Sequence, residues 1–201
     1  MNARQTPRKR DRRKRLFKTI ACSGCGTCCS EPIVPVTDSD VRRIARATGR
    51  APESFVRFYS DDDMDFAAES GVWIRFPAGV RAMGLRRRKN RCLFLGDDMR
   101  CTIYQHRPRT CRTFPYQTDL DESGALRRVT MNPIVKCRRR RVDDSPLTKL
   151  VRDSRAEDRE DDRYYARVEI WNESVGGKKR MRDFLAFVER PAGARGKKSK
   201  R

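Results

Sequence analysis

Apolar residues recur along this chain in short, well-separated groups, each bounded by turn-forming residues. Leu16, Phe17 and Ile20 form the first group and predict a short strand, or an extended lead-in, packed on the core. Ile33-Val34 between Pro32 and Pro35 predicts an extended connection. Val41, Ile44, Ala45 and Thr48 then repeat at helical spacing. Thr37 and Asp40 have the form of a capping box ahead of them and Gly49 stands at the end, so this stretch predicts a helix with both ends marked. Residues 51–56, with Pro52 in the first turn, predict a second short helix, and the acidic run at 61–65 a solvated loop, because it lacks the glycine and terminal glutamate of an EF-hand. Residues 72–76 predict a strand.

Farther along, residues 86–89 predict an exposed basic turn. After it, residues 92–95 and 99–104 predict the two arms of a β-hairpin turning at Gly96-Asp97-Asp98. Pro108 opens and Pro115 closes a predicted helical turn over 107–113. Residues 126–131 predict a strand. From Pro146, with Ser145 as N-cap, to Val175 the pattern is helical with a fully charged middle, and Met181, Phe184, Leu185 and Val188 predict a last amphipathic helix. Together these elements predict an α+β fold with short strands and helices.

Composition makes the expected core thin. The hydrophobic fraction is 37%, matched by 37% charged residues, against roughly 45–50% apolar in an ordinary globular domain. The net charge of +21 is concentrated: residues 1–18, 86–91, 136–141 and 191–201 hold +23 between them, which leaves the rest near −2. The expected organisation is a disordered basic arm at 1–16, a cysteine-cluster domain at 17–140, a helical extension at 145–190 and a disordered basic tail at 191–201. The basic blocks are suited to nonspecific contact with a polyanion, and no aromatic platform for single-stranded nucleic acid accompanies them. Neither a secretory signal nor an apolar run of spanning length is present, so the expectation is a cytosolic protein without a membrane span.

The densest chemistry lies at 22–29, where four cysteines and two glycines fall within eight residues. Thiols two residues apart on a turn can face one ion, and Gly24 and Gly26 permit the positive φ angles that turn backbone N–H groups toward sulfur. Four more cysteines follow, so the candidate ligands are Cys22, Cys25, Cys28, Cys29, Cys92, Cys101, Cys111 and Cys137. Neighbouring side chains are expected to diverge, which leaves Cys29 free to serve a second site, a bridge or a redox step. In a reducing compartment such a set indicates metal ligation rather than disulfides. Both Zn2+ and an iron–sulfur cluster fit; the two-residue stepping of Cys22, Cys25 and Cys28 is like the start of a bacterial ferredoxin run and favours [4Fe–4S]. His106 is the only histidine, and no dinucleotide or P-loop motif is present, so a cofactor-dependent enzyme has no motif behind it.

The segments Cys22-x2-Cys25-Gly-x-Cys28-Cys29, Cys92-Leu-Phe-Leu95 and Cys101-Thr-Ile-Tyr104-x2-Arg107-Pro108-x2-Cys111-Arg112-x-Phe114-Pro115 resemble the YkgJ-type cysteine-cluster family, CxxCxxCC, a bacterial and archaeal family named for zinc or iron chelation. The likeness spans roughly 17–140, and Cys137 resembles a late cysteine of its members. It implies metal or Fe–S binding by a metal-stapled domain. One branch is similar to flagellin lysine N-methylases, which carries a protein methyltransferase as an alternative; a nucleic-acid-binding metal module is a second. Within the resemblance, Arg107 and Arg112 are expected to donate to sulfur or to a carbonyl near the thiolates, and Tyr104 and Phe114 to shield the site from water. A protein partner or substrate is implied without being specified.

Overall fold

The computed structural model describes residues 16–20, 26–30, 32–133, 141–175 and 177–190. The predicted basic arm and tail, and Cys22, Cys25 and Cys137, lie outside the described residues. The order of elements is β1 (Leu16–Ile20), α1 (Thr27–Ser30), α2 (Asp38–Thr48), β2 (Val56–Tyr59), β3 (Ile74–Phe76), β4 (Gly79–Leu85), β5 (Arg87–Arg88), β6 (Arg91–Cys92), α3 (Thr110–Thr113), β7 (Tyr116–Leu120), β8 (Leu126–Met131), β9 (Arg141–Pro146), α4 (Leu147–Ser174) and α5 (Met181–Glu189). The fold is the α+β mixture the sequence predicts.

The helix α2 forms as its end signals dictate. Thr37 and Asp40 exchange the two capping-box bonds at 3.2 Å each, and Gly49 takes a left-handed φ of 66° and donates its N–H back to Ala45. Its inner face, Val41 and Ile44, is fully buried. It shares its core cluster with the antiparallel sheet β2-β4-β3, with residues 34–36 running along β4 through the bonds Val36 N to Met83 O and Leu85 N to Val34 O. The chain comes this close because Gly84 has no side chain: a Cβ there would stand 2.9 Å from Ile33 Cγ2 and about 3 Å from the Tyr59 ring.

Helices α4 and α5 complete this core. Tyr164, Val168 and Trp171 of α4 and Phe184, Leu185 and Val188 of α5 are buried in the same cluster as Ile74, Phe76 and Met83. Five aromatic rings interlock there. Phe184 makes edge contacts with Trp171 at 5.1 Å, Phe76 at 6.1 Å and Phe58 at 6.1 Å between centroids, and Phe187 lies 5.6 Å from Trp171.

Several elements differ from the sequence expectation. Residues 52–54 form a single 3-10 turn, and the chain then enters strand β2, whose mixed burial pattern gives no alternation to read. Strand β4, central to the sheet, carries two glycines and Arg81 and is buried over its last four residues, so no period of two marks it. Ser145 and Pro146 close strand β9, paired with β1 from Leu16↔Pro146 to Ile20↔Arg141, instead of capping the long helix, which begins at Leu147. The strand at 126–131 forms as predicted and finds an unpredicted partner in β7. Among the described residues no helix is long and apolar enough to cross a membrane.

Candidate metal centre

The cysteine side of the molecule is built from turns. Gly26, at a φ of 70°, leads into the one-turn helix α1, and the tip of the Met99 side chain lies where a Cβ of Gly26 would be, so the left-handed backbone and the close approach both favour glycine here. On α1 the Sγ atoms of Cys28 and Cys29 are 3.8 Å apart. The expectation that adjacent side chains diverge is not met, because successive helical residues differ by about 100° of rotation and not the 180° of a strand. The bond between the two thiols stabilises a Cys28 thiolate, and the Arg107 guanidinium adds to this, so that Cys28 is lowered to about 7. The same bond, together with burial, raises Cys29.

Strand β6 brings Cys92 against α1. It pairs with β5 through Arg87↔Cys92 and Arg88↔Arg91, around Lys89 and Asn90 at φ of 49° and 60°, the left-handed pair of a tight hairpin. The basic run at 86–89 is therefore one arm and the tip of a hairpin and not simply an exposed turn. The predicted hairpin between 92–95 and 99–104 exists, but its register sets Cys101 opposite Leu95, with Thr102 N bonded to Phe94 O at 2.9 Å. Cys92 thus faces Arg87, and Cys101 arrives from the return arm.

Arg87 is the residue that sequence reasoning missed. Its guanidinium donates to Pro32 O at 2.7 Å and to the carbonyls of Ser30 and Asn90, clasping the end of α1 to the β5–β6 tip. An arginine inside a run of four basic residues carries no sequence signal of such a role. Its position opposite a cysteine becomes visible only once the hairpin register is known.

Cys111 comes from α3, which hangs on a turn pinned by arginines. Arg107 donates from Nε to Cys111 O at 3.0 Å and from Nη1 to Tyr104 O at 2.7 Å, and its guanidinium stacks 3.8 Å from the Tyr104 ring centroid. Arg112 donates to Gln105 O at 3.0 Å. Both arginines thus take the carbonyl option of the two the sequence left open. Tyr104 is 47% exposed, its ring covered by Arg107. Phe94 and Ile103 are the buried apolar residues on this side, and Phe114 is half-buried. His106 is exposed.

Carboxylates then tie α3 to the body. Buried Asp40 accepts from Arg109 N at 3.2 Å and pairs with Arg43; Glu160 of α4 pairs with Arg109 at 2.8 Å and with Arg43 at 3.5 Å. Glu157, one turn earlier on α4, accepts from Thr113 Oγ1 at 2.8 Å.

Cys28, Cys29, Cys92, Cys101 and Cys111 therefore arrive from four separate places in the chain, and none of them is in a disulfide. They sense one another. Burial raises Cys92, and the charges of Cys101 and Cys28 add to it; burial raises Cys111 well up, with Cys92, Cys28 and Cys101 adding to it. Thiols that oppose each other's ionisation in this way form a set a soft or borderline cation would neutralise, so the donor chemistry fits zinc or iron. Among the described residues no three cysteine, histidine or carboxylate side chains are arranged to hold an ion by themselves.

Neither the curated proteins nor the solved structures contain a match to this chain. A family model does match, over residues 21–134, and its description is CxxCxxCC, "Putative zinc- or iron-chelating domain". The match covers the loop at 22–29 and every described cysteine, more than half of the chain, and the protein therefore belongs to the CxxCxxCC family of zinc- or iron-chelating domains.

Proposed function

We propose that this cytosolic protein binds a [4Fe–4S] cluster through thiolates drawn from Cys22, Cys25, Cys28 and Cys29, with Cys92, Cys101, Cys111 and Cys137 supplying the remaining ligands. One observation carries the reading: five free thiols come from four separate segments, with Cys28 and Cys29 Sγ 3.8 Å apart on α1 and the Cys92 strand packed against α1, and the sequence just ahead of α1 holds two more cysteines. Because the described thiols are not a ready-made site, the ligand set draws on Cys22, Cys25 or Cys137. The two-residue stepping in the loop favours iron–sulfur over zinc.

Such a cluster supplies one-electron chemistry when bound. The chain's own residues hold the thiols for it. Arg107 fixes the Cys111 carbonyl; the bond from Cys29, with a smaller contribution from Arg107, favours the Cys28 thiolate and eases its ligation near neutral pH. Arg87 fixes the end of α1, and Arg112 fixes the turn ahead of Cys111. Tyr104 with its stacked Arg107 forms the outer cover. The partner is a protein, and the basic runs add nonspecific polyanion contact.

The deciding experiment is purification without oxygen, followed by an absorption spectrum and determination of iron, sulfide and zinc. A brown protein absorbing broadly near ~400 nm, with iron and sulfide in comparable amounts, is expected. A colourless protein with stoichiometric zinc replaces this reading with a structural, redox-silent site.

A further inference from the structure

The outer face of α2 carries a second site that the thiols do not use. Ser39, Arg42, Arg43, Arg46 and Ala47 stand on one face of the helix, at spacings of three, four, seven and eight residues. With His106 from the neighbouring turn they line a pocket of about 520 Å³. Six residues line it, four of them basic in type, one a hydroxyl and one a methyl. None is a carboxylate.

The acids that might neutralise this face are buried behind it and already shared. Asp38 pairs with Arg42 at 2.7 Å and with Arg167 at 3.4 Å, Asp40 with Arg43, and Glu160 with Arg43 and Arg109. Arg46 is exposed and makes no hydrogen bond or ion pair among the described residues. Arg42 and Arg43 are thus each matched by a buried carboxylate, and Arg46 is the arginine of this face left without a counter-charge among the described residues.

We propose that this pocket binds the phosphoryl dianion of a phosphomonoester, held by Arg42, Arg43 and Arg46 with Ser39 and His106 donating at its edge. A phosphomonoester carries close to two negative charges above its second pKa of ~6, and Arg46 offers it an unpaired guanidinium. The donors match as well: guanidinium forks bind phosphate oxygens in pairs. The volume exceeds what a bare phosphate fills and lies within the range of small-molecule sites, roughly 300–1,000 Å³, which leaves space for the organic part of the ligand. Arg42 and Arg43 are held in place by Asp38, Asp40, Ser39 and the carbonyls of Val188 and Arg107, which fixes this face before any ligand arrives and leaves Arg46 as the guanidinium with its whole fork open.

His106 is the single histidine of the chain, so the imidazole Cε1–H resonance of the untagged full-length protein reports on this pocket alone. The test is a titration at pH 8 with inorganic phosphate in one arm and adenosine monophosphate in the other, against chloride at matched ionic strength. Saturable shifts are expected in both arms, tighter for the monophosphate. Arg46→Ala and Arg46→Gln are expected to weaken binding at least tenfold, while Arg88→Ala, an exposed arginine on the β5–β6 hairpin, leaves it unchanged. Equal affinity in the two arms would identify free phosphate as the ligand and still support the site. Shifts that fail to saturate or match those of chloride overturn it, and so does equal binding by the Arg46 and Arg88 variants, which would assign the affinity to the basic runs.

Discussion

The two sides of this molecule are held together by different means. Around Phe184 the chain is fixed by apolar burial: five aromatic rings, two helices and a three-stranded sheet leave few degrees of freedom. Around Cys28 regular elements shrink to one-turn helices and two-residue strands. There the positions are set by arginines donating to backbone carbonyls and by carboxylates clamping those arginines. Apolar burial is non-directional, whereas a guanidinium bonded to two or three named carbonyls fixes an orientation. A side that must hold thiolates at fixed positions uses the directional kind of bond.

The comparison can be broken by striking either side. Phe184→Ala removes the centre of the aromatic cluster and is expected to cost about 3–5 kcal/mol. Urea unfolding followed by fluorescence of Trp73 and Trp171 reads this, with metal content per folded molecule unchanged. A parallel loss of metal would show that the two sides are not separable. Glu160→Ala leaves Arg43 with Asp40 alone and strands Arg109. Loss of one partner of a buried pair costs about 3–5 kcal/mol, and these arginines are 20% and 25% exposed, so about 2–3 kcal/mol is expected. This variant, unlike the first, should also loosen α3 and release metal to a chelator sooner.

Smaller effects sharpen the contrast. Arg107→Ala should lower global stability by only about 1 kcal/mol, since the bonds it makes are partly exposed. Metal loss to a chelator should quicken several-fold; unchanged content and unchanged release would remove Arg107 from the site. Asp161 tests the body alone. Burial first, then the charges of Glu157 and Asp40, raise it to about 7. The native state therefore keeps a proton that the unfolded chain has already lost, so stability falls as pH rises from about 4 to about 7. Asp161→Asn should be more stable than the parent by about 1 kcal/mol at pH 8, with the gap closing at pH 4; a gap of the same size at both pH values would refute the shift.

What could be read from the sequence followed the same division. Helix α2 is fully specified by Thr37, Asp40, Gly49 and the Val41/Ile44 spacing, because caps and periodicity are local properties. Helix α5 and strand β8 are legible for the same reason. Strand β4 is hidden because a central strand with Gly79, Arg81 and Gly84 is defined by its two neighbours and not by its own pattern. At the metal side the cysteines and the turn at Arg107-Pro108 are legible as residue types. The roles of Arg87, Asp40 and Glu160 are not, since each depends on partners more than fifty residues away. Helix α4 begins one residue later than Ser145-Pro146 predicts, because both of these residues pair with β1.

Helix α4 runs for 28 residues, a rod of about 42 Å at 1.5 Å per residue, and it belongs to both sides. Its C-terminal half is seated by Trp171 among the aromatic rings. Its N-terminal half grips α3 through Glu157 and Glu160 and the tip of the β7–β8 hairpin through Arg155, which donates to Gly124 O at 2.7 Å. In mechanical terms it is a spar with one end embedded. Any change in spacing among the thiols that moves α3 must either snap the carboxylate straps or swing the spar about its aromatic seat, and the tip of the β7–β8 hairpin travels with it. A local event among sulfur atoms would thus be felt at a hairpin tip on another part of the surface, with no hinge required between them.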